Sequence, residues 1–198
     1  MEFRQFNITV EPSTEEKAGL FLCGYVNKTG AESQVLRSKH GQFIETIAPG
    51  TFQRAIESAD KIDLLFNHDM NNLLGSTKNG SLKLQEDHIG LRFECELVNT
   101  SLGRDVYEMV KSGLIEGMSF GFNNPVSKWE MRSDGIYKRE IMKLDLKEVS
   151  IVRNPAYLDS EVGTRSQHVE ESNELDSFFD CKKNLEERIK NLNIRKED

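Results

Sequence analysis

A serine between two glycines is the first feature of this sequence that could carry out chemistry. The segment Gly117-Met118-Ser119-Phe120-Gly121 matches the G-x-S-x-G pattern of the α/β-hydrolase nucleophile elbow. An elbow requires a helix directly after the serine, whereas Phe122-Asn123-Asn124-Pro125 follows here. As a strand with a period of two, the segment places Ser119 and both glycines on one face, where the absent side chains leave room for a substrate backbone. A structural serine at a tight strand crossing is the alternative.

A serine hydroxyl is a weak nucleophile, so a catalytic serine needs a neighbouring base, which is usually a histidine. His68 is the strongest candidate because it closes an apolar strand and is expected to share an inward face with Ile62, Leu64 and Phe66. The alternative is a structural histidine at a strand end. The other histidines have more polar neighbours and are expected to be exposed; they are His40, His88 and His168. Only His168 follows Ser119, as the histidine of an α/β-hydrolase should.

A carboxylate interrupts an apolar strand face further along the chain. Alternation places Glu148 on the same face as Leu144, Leu146, Ser150 and Val152. A buried charge is costly without a partner, and a histidine that becomes protonated during catalysis would be one. A structural ion pair with Arg139 or Lys143 is the alternative.

The elements that must position these residues are mainly short strands. Many are bounded by Gly, Asn or Asp, which is typical of an all-β barrel or sandwich. Two helices interrupt them, one after Pro49-Gly50 and one after Thr100-Ser101, and Gly113 ends the second. The predicted strands are FNITV, LFLCGYVN, FIETIA, IDLLFNH, SLKLQ, IGLRFECELV, MSFGF, IYKREIM and LDLKEVSIV.

The composition changes after this β-rich region. With 198 residues, the chain is expected to hold one compact domain over residues 1–158 and an appendage. Residues 159–174 are polar and predict a linker, and residues 175–198 predict an amphipathic helix. Its apolar stripe would dock on the chain's own domain or contact another subunit or a scaffold; the stripe consists of Leu175, Phe178, Leu185, Ile189 and Leu192.

The overall charge and the cysteines exclude several classes of function. A net charge of −7 opposes tight binding to a phosphate backbone, so we expect no nucleic-acid partner. Three widely spaced cysteines do not suit a disulfide framework, and none has the neighbours of a metal site. No stretch approaches the roughly 18 apolar residues of a membrane span, and the first residues have no apolar signal core. We therefore expect a soluble, cytoplasmic protein.

Several segments, taken in order, resemble the prohead protease family of tailed bacteriophages. The resemblance covers roughly residues 5 to 160. The segments are Ile47-Ala48-Pro49-Gly50-Thr51-Phe52, Leu65-Phe66-Asn67-His68-Asp69, Leu74-Gly75, Gly90-Leu91-Arg92-Phe93, Val110-Lys111-Ser112-Gly113, Gly117 to Phe122, Leu146 to Val152, and Asn154-Pro155-Ala156-Tyr157.

This resemblance implies a fold and three site residues. The family looks related to the herpesvirus assembly protease, assemblin, which implies a mainly β (α+β) fold: a closed β-barrel with flanking helices. Ser119 corresponds to the nucleophile and His68 to the base. The herpesvirus relatives use a second histidine as third member, and this sequence has none between Ser119 and the linker. Glu148 is the candidate for that role, because a carboxylate can also orient an imidazole.

The resemblance also implies substrates and a location. The substrates would be the major capsid protein precursor or a separate scaffold, and then the protease itself, inside the procapsid that assembles in the host cytoplasm. Self-cleavage is expected in residues 159–174, where an unstructured backbone can enter a site. No cofactor or metal is implied, and self-association is open. Arg153 and Asn154 are the candidates for stabilising the oxyanion. The competing hypothesis is a scaffold-binding assembly module without catalysis.

Overall fold

The computed structural model describes residues 1–6, 10–12, 19–38 and 41–153. These ranges form eleven β-strands, two α-helices and one 3₁₀ turn at Thr77–Asn79. The strands are β1 (Glu2–Phe6), β2 (Val10–Pro12), β3 (Phe21–Lys28), β4 (Leu36–Ser38), β5 (Gly41–Ile47), β6 (Asp63–Phe66), β7 (Asp69–Ser76), β8 (Leu82–Glu86), β9 (Gly90–Glu96), β10 (Gly117–Met131) and β11 (Tyr137–Val152). The helices are α1 (Thr51–Ser58) and α2 (Ser101–Lys111).

The larger sheet is organised around its longest strand, β11. One edge of β11 pairs antiparallel with β10, which in turn pairs antiparallel with β1. The other edge pairs in parallel with β5 along Tyr137–Ile141 and with β6 along Glu148–Ile151. Strands β4 and β7 complete the seven-stranded sheet by pairing with β5 and β6. Strand β11 therefore lies between β10, which carries Ser119, and β6, which precedes His68.

The smaller sheet has the order β2-β3-β9-β8. Its strand β9 alternates, with Leu91, Phe93 and Cys95 buried and the residues between them exposed. This alternation is typical of an antiparallel sheet with one solvated face. Residues of both sheets and both helices share one apolar core.

Both predicted helices are confirmed. Helix α1 follows Gly50, whose φ of 78° is a conformation that glycine adopts without strain. Thr100 caps α2 by accepting a hydrogen bond from the Gly103 N–H at 3.0 Å. In α1, Phe52 packs edge-on against Phe120, with ring centroids 5.1 Å apart. Helix α1 thus supports the face of β10 that is opposite the Ser119 side chain.

The prediction of a closed barrel is wrong. In the described ranges neither sheet closes, and β1 and β4 end the main path of the larger one. The reason is the branching at β11: a strand of 16 residues faces two short strands, β5 and β6, which each cover only part of its edge. Helix α1 separates these two strands in the sequence. The sheet consequently forks instead of curling into one closed path.

Two strand predictions also differ from the structure. The predicted strands IYKREIM and LDLKEVSIV are one continuous strand, β11. The predicted strand FNITV begins at Phe6, the last residue of β1, and ends at Val10, the first residue of β2, and residues 7–9 between them lie outside the described residues. The predicted linker and amphipathic helix lie outside the described residues. Neither described helix is long and apolar enough to cross a membrane.

Candidate functional site

Ser119 lies in the middle strand of a three-strand segment. Its Cα partners are Gln5 in β1 and Ser150 in β11. The residue is fully buried, and its Oγ donates a hydrogen bond to the carbonyl oxygen of Arg4 at 2.8 Å. Strand β10 continues to Met131, so no helix follows the serine, and a nucleophile elbow is excluded.

His68 does not close strand β6, as the sequence predicts, but occupies the turn after it. Asn67 and His68 form a two-residue connection between β6 and β7, with φ values of 54° and 59°. Two left-handed residues are required in a type I′ hairpin turn, where glycine usually takes the second position. The turn is fixed to β11, because the Asn67 N–H donates to the Ile151 carbonyl at 2.9 Å and the His68 N–H to Ser150 Oγ at 3.2 Å.

The structure brings His68 and Glu148 into direct contact. Nδ1 of His68 lies 2.8 Å from Oε1 of Glu148, and the Glu148 side chain is only 3% exposed. Ser150 Oγ donates to the second carboxylate oxygen, Oε2, at 2.5 Å. A carboxylate on Nδ1 favours the tautomer whose Nε2 lacks a proton, which is the form that can accept one.

The far nitrogen of His68 has no such contact. Nε2 is buried and makes no hydrogen bond to any described residue. The ring of Phe3 lies beside the imidazole, with centroids 4.4 Å apart and planes inclined at 55°. Ser119 and His68 are therefore not hydrogen-bonded to each other in this conformation.

The alternative role for Glu148, an ion pair with Arg139 or Lys143, is wrong. The Arg139 guanidinium instead bonds the carboxylates of Glu2 and Glu45, through Nη1, at 2.8 and 2.9 Å. Glu148 has His68 and Ser150 as its side-chain partners.

Gly121 makes room for the Glu148 carboxylate. The two residues are Cα partners, and a Cβ on Gly121 would lie 2.5 Å from Oε1 of Glu148 and 2.9 Å from Cε1 of Phe3. We expected this glycine to leave space for a substrate backbone. In the structure the space holds the carboxylate and the first residues of the chain.

The predicted oxyanion candidates are only partly described. Arg153 follows β11 and is exposed, and its backbone N–H donates to Oδ1 of Asn67 at 3.2 Å. Asn154 lies outside the described residues. The oxyanion donors thus remain a prediction, and this Arg153 N–H already has an acceptor.

Other carboxylates near the site have structural partners. Asp63, the Cα partner of Glu148 in β6, bonds Lys61 Nζ at 2.8 Å and Ser76 Oγ at 2.7 Å. Asp69 accepts the Asn71 N–H at 2.9 Å, and Asp145 accepts from the Asn124 side chain at 2.7 Å. Among the described residues, Glu148 is hydrogen-bonded to the His68 imidazole and none of these three carboxylates is.

Within the described ranges, the remaining titratable candidates form no second site. His88 is exposed in the turn between β8 and β9, and His40 and His168 lie outside the described residues. Burial raises the pKa of the Cys95 thiol to about 12, so it stays protonated at neutral pH. Among the described residues, no group of three or more histidines, cysteines and acids could hold a metal ion.

Four charged side chains link β1 to strands β5 and β11 of the large sheet, and the sequence did not predict their arrangement. Glu2 and Arg4 of β1 meet Glu45 and Arg139, and all four are nearly inaccessible. Arg4 Nη2 bonds Glu2 at 2.7 Å and Glu45 at 2.8 Å. Burial raises the pKa of Glu2, but the hydrogen bond from Arg139 and the charges of Arg4 and Arg139 outweigh it, so its pKa lies below the usual value. We call these four residues the charge quartet.

A serine on one strand, with a histidine–carboxylate pair beside the neighbouring strand, has the chemical groups of a serine hydrolase site. The comparison with known families agrees with this class. The chain belongs to the caudovirus prohead serine protease family, whose profile matches residues 7–174.

Two individual proteins are similar to the chain. It is 27% identical over 137 residues to the prohead protease of Escherichia phage T5. This alignment covers 69% of this chain and 61% of the phage T5 protein. The chain thus spans less than two thirds of that relative's length. A solved structure, the capsid assembly protease of bacteriophage T4, matches with 10% identity and a TM-score of 0.48, over 78% of this chain and all of the other.

Proposed function

We propose that this chain is a serine endopeptidase that acts during maturation of a phage prohead. Ser119 is the nucleophile, His68 the general base and acid, and Glu148 the group that orients and stabilises the imidazole. The observation that carries the proposal is the 2.8 Å contact of Glu148 with Nδ1 of His68, together with the buried Nε2 that has no acceptor or donor among the described residues. A structural histidine would normally have both nitrogens satisfied when buried.

The proposed reaction uses these groups in two half-reactions. The Ser119 hydroxyl attacks a peptide carbonyl while His68 Nε2 takes the proton, and Glu148 stabilises the resulting imidazolium. The imidazolium then protonates the leaving amine, and a water molecule, activated by the same nitrogen, releases the acyl group. For the first step the Ser119 hydroxyl must turn from the Arg4 carbonyl toward Nε2. The oxyanion donors are proposed to come from the chain around Arg153 and Asn154.

The substrates are proposed from the family. Scaffold and major capsid protein precursors would be cut inside the assembling procapsid, and the chain would cut itself within residues 159–174. Residues 1–158 would form the catalytic domain, and residues 175–198 a helix that contacts a scaffold or another subunit.

The alternative proposal is an assembly module that binds scaffold and cuts nothing. A fluorophosphonate probe separates the two, because only an activated serine reacts with it. We expect wild type and Ser133→Ala, an exposed serine in a turn, to be labelled at Ser119, and Ser119→Ala to be unlabelled. The same three proteins, co-expressed with the capsid precursor, should differ in the same way in fragment masses. Absence of labelling and of cleavage in wild type would favour the assembly module.

A further inference from the structure

The first strand of the chain closes the candidate site. Ser119 is fully buried, and its hydroxyl donates a hydrogen bond to the β1 backbone beside it, at the Arg4 carbonyl, at 2.8 Å. On the same face, Phe3 lies beside the His68 ring. A substrate carbonyl therefore cannot reach the Ser119 hydroxyl while β1 is paired with β10.

The pairing itself resembles that of a bound extended peptide. Strand β1 adds to the edge of β10 in antiparallel register, from Glu2 opposite Phe122 to Phe6 opposite Met118. Strand addition to a sheet edge is a general way of binding a peptide, because the main chain supplies the hydrogen bonds and alternate side chains supply the specificity. The side of β1 that faces away from His68 inserts Glu2 and Arg4 into the charge quartet.

The charge quartet consists of two neutral pairs, one on β1 and one on β5 and β11, and hydrogen bonds from Arg4 to Glu45 and from Arg139 to Glu2, both at 2.8 Å, join the two pairs. Glu2 and Arg4 pair with each other at 2.7 Å, and Glu45 and Arg139 pair with each other at 2.9 Å. Each half is neutral, so departure of β1 leaves no isolated charge behind, whereas removal of one member of a buried pair would. After β1 has left, the Glu45 carboxylate and the Arg139 guanidinium remain available to a strand that binds in its place.

We propose that β1 is a releasable plug: the site becomes competent when Met1–Phe6 leave the β10 edge and an extended peptide segment takes their place. The quartet favours an incoming segment with an acidic and a basic residue two positions apart, as in Glu2 and Arg4. This inference rests on the proposed function for its consequence, which is control of access to Ser119. The plug itself is a binding property that can be measured without catalysis.

The test weakens the plug in the full chain. Glu2→Gln/Arg4→Gln removes the half of the quartet that belongs to β1 and keeps the Glu45–Arg139 pair. The matched control is Arg92→Gln/Glu94→Gln, which removes an ion pair of the same spacing that is half-exposed on β9. A second variant, Phe3→Ala, removes the ring beside His68 and leaves the quartet intact.

The first readout is the rate at which a fluorophosphonate labels Ser119. We expect the Glu2→Gln/Arg4→Gln variant to react at least about tenfold faster than wild type and Phe3→Ala to react faster as well, while the Arg92/Glu94 control matches wild type. The peptide MEFRQF, added in excess, should slow the released variant again, and MQFQQF should not. Equal rates in all four proteins would overturn the plug and leave the nucleophile assignment intact.

The second readout does not depend on chemistry. In the Ser119→Ala background, a fluorescent MEFRQF peptide should bind the Glu2→Gln/Arg4→Gln variant at least about tenfold more tightly than the chain with an intact plug. Stronger binding with no labelling of any protein would support the plug and refute the proposed catalysis. Equal binding of the peptide to the chain with an intact plug and to the Glu2→Gln/Arg4→Gln variant would refute the plug, whatever the labelling shows.

Discussion

Oε1 of Glu148 lies 2.8 Å from Nδ1 of His68, and the Glu148 side chain is 3% exposed. Glu148 is on β11, the strand next to the one that carries Ser119. A carboxylate in this position can be a catalytic partner or only a structural anchor of the turn at Asn67-His68. The two roles predict opposite results when its charge is removed and its shape is kept.

We expect Glu148→Gln to lower turnover by about two to four orders of magnitude with little change in melting temperature, because the imidazolium loses its partner and the amide can select the wrong tautomer. The matched control is Asp63→Asn, a buried carboxylate beside it whose partners are Lys61 and Ser76. That variant should lose thermal stability and keep its turnover per folded molecule. If the two patterns were exchanged, Asp63 would become the candidate and Glu148 the anchor.

Ser119→Ala and His68→Ala should each remove nearly all proteolysis and leave the fold intact. Because the two side chains act as a unit, the double variant should be no worse than either single one. Fragment yields from the capsid precursor and circular dichroism of the same samples measure this. A single variant that kept more than about a tenth of the activity would lose its assignment, since triad members contribute orders of magnitude more.

A methyl group at Gly121 should displace the Glu148 carboxylate. We expect Gly121→Ala to reduce turnover at least about tenfold, because its Cβ would lie 2.5 Å from Oε1 of Glu148 and packing this tight forces a shift. Gly75→Ala creates an equally close contact, 2.5 Å from Cys95 Sγ, away from the site. It should reduce stability only. Comparable turnover in the two variants would mean that the carboxylate can move without consequence.

The alternation of apolar residues was sufficient to select the strands that carry Ser119 and Glu148. Apolar residues at helical spacing after Pro49-Gly50 and Thr100-Ser101 predicted both helices, whose N-caps are Gly50 and Thr100 in the structure. The strand alternation failed for His68, because a turn with two positive φ values usually contains glycine and Asn67-His68 has none. A local pattern therefore located the residue but not its backbone conformation.

Long-range pairing explains the remaining errors. Strand β1 contacts residues more than a hundred positions away, and nothing local in MEFRQF predicts its pairing with β10. The fork at β11 arises because two separate short strands, β5 and β6, pair with the same edge of β11. The closed barrel came from the resemblance, and the open sheet corrects it.

We expect Ser150, which the strand pattern placed on the same face as Glu148 without a role, to be a positioning residue. It donates to Oε2 of Glu148 at 2.5 Å and accepts the His68 N–H at 3.2 Å, so it holds both groups. Hydrogen bonds to charged groups contribute about 1.5–3 kcal/mol, so Ser150→Ala should lower kcat about tenfold to a hundredfold. KM should stay unchanged, and the control Ser133→Ala should keep both kcat and KM. A change confined to KM or to the melting temperature would assign Ser150 a purely structural role.

The charge quartet should make the stability of the protein depend on pH in the acid range. The pKa of Glu2 is lowered on folding, so the stabilisation from Glu2 is complete above its unfolded pKa of about 4.3 and is lost as the pH falls through the lower folded value. We therefore expect wild type to melt at a higher temperature than Glu2→Gln near pH 6, where the neutral amide leaves Arg4 and Arg139 with one carboxylate fewer. The difference should shrink steadily below about pH 4, where the wild-type side chain also becomes neutral. Glu94→Gln, on the exposed face of β9, should melt with wild type throughout, because exposed ion pairs contribute little. Melting curves from pH 2 to pH 7 measure all three proteins. If the difference in melting temperature between wild type and Glu2→Gln did not depend on pH, the charge of Glu2 would not hold β1 in place.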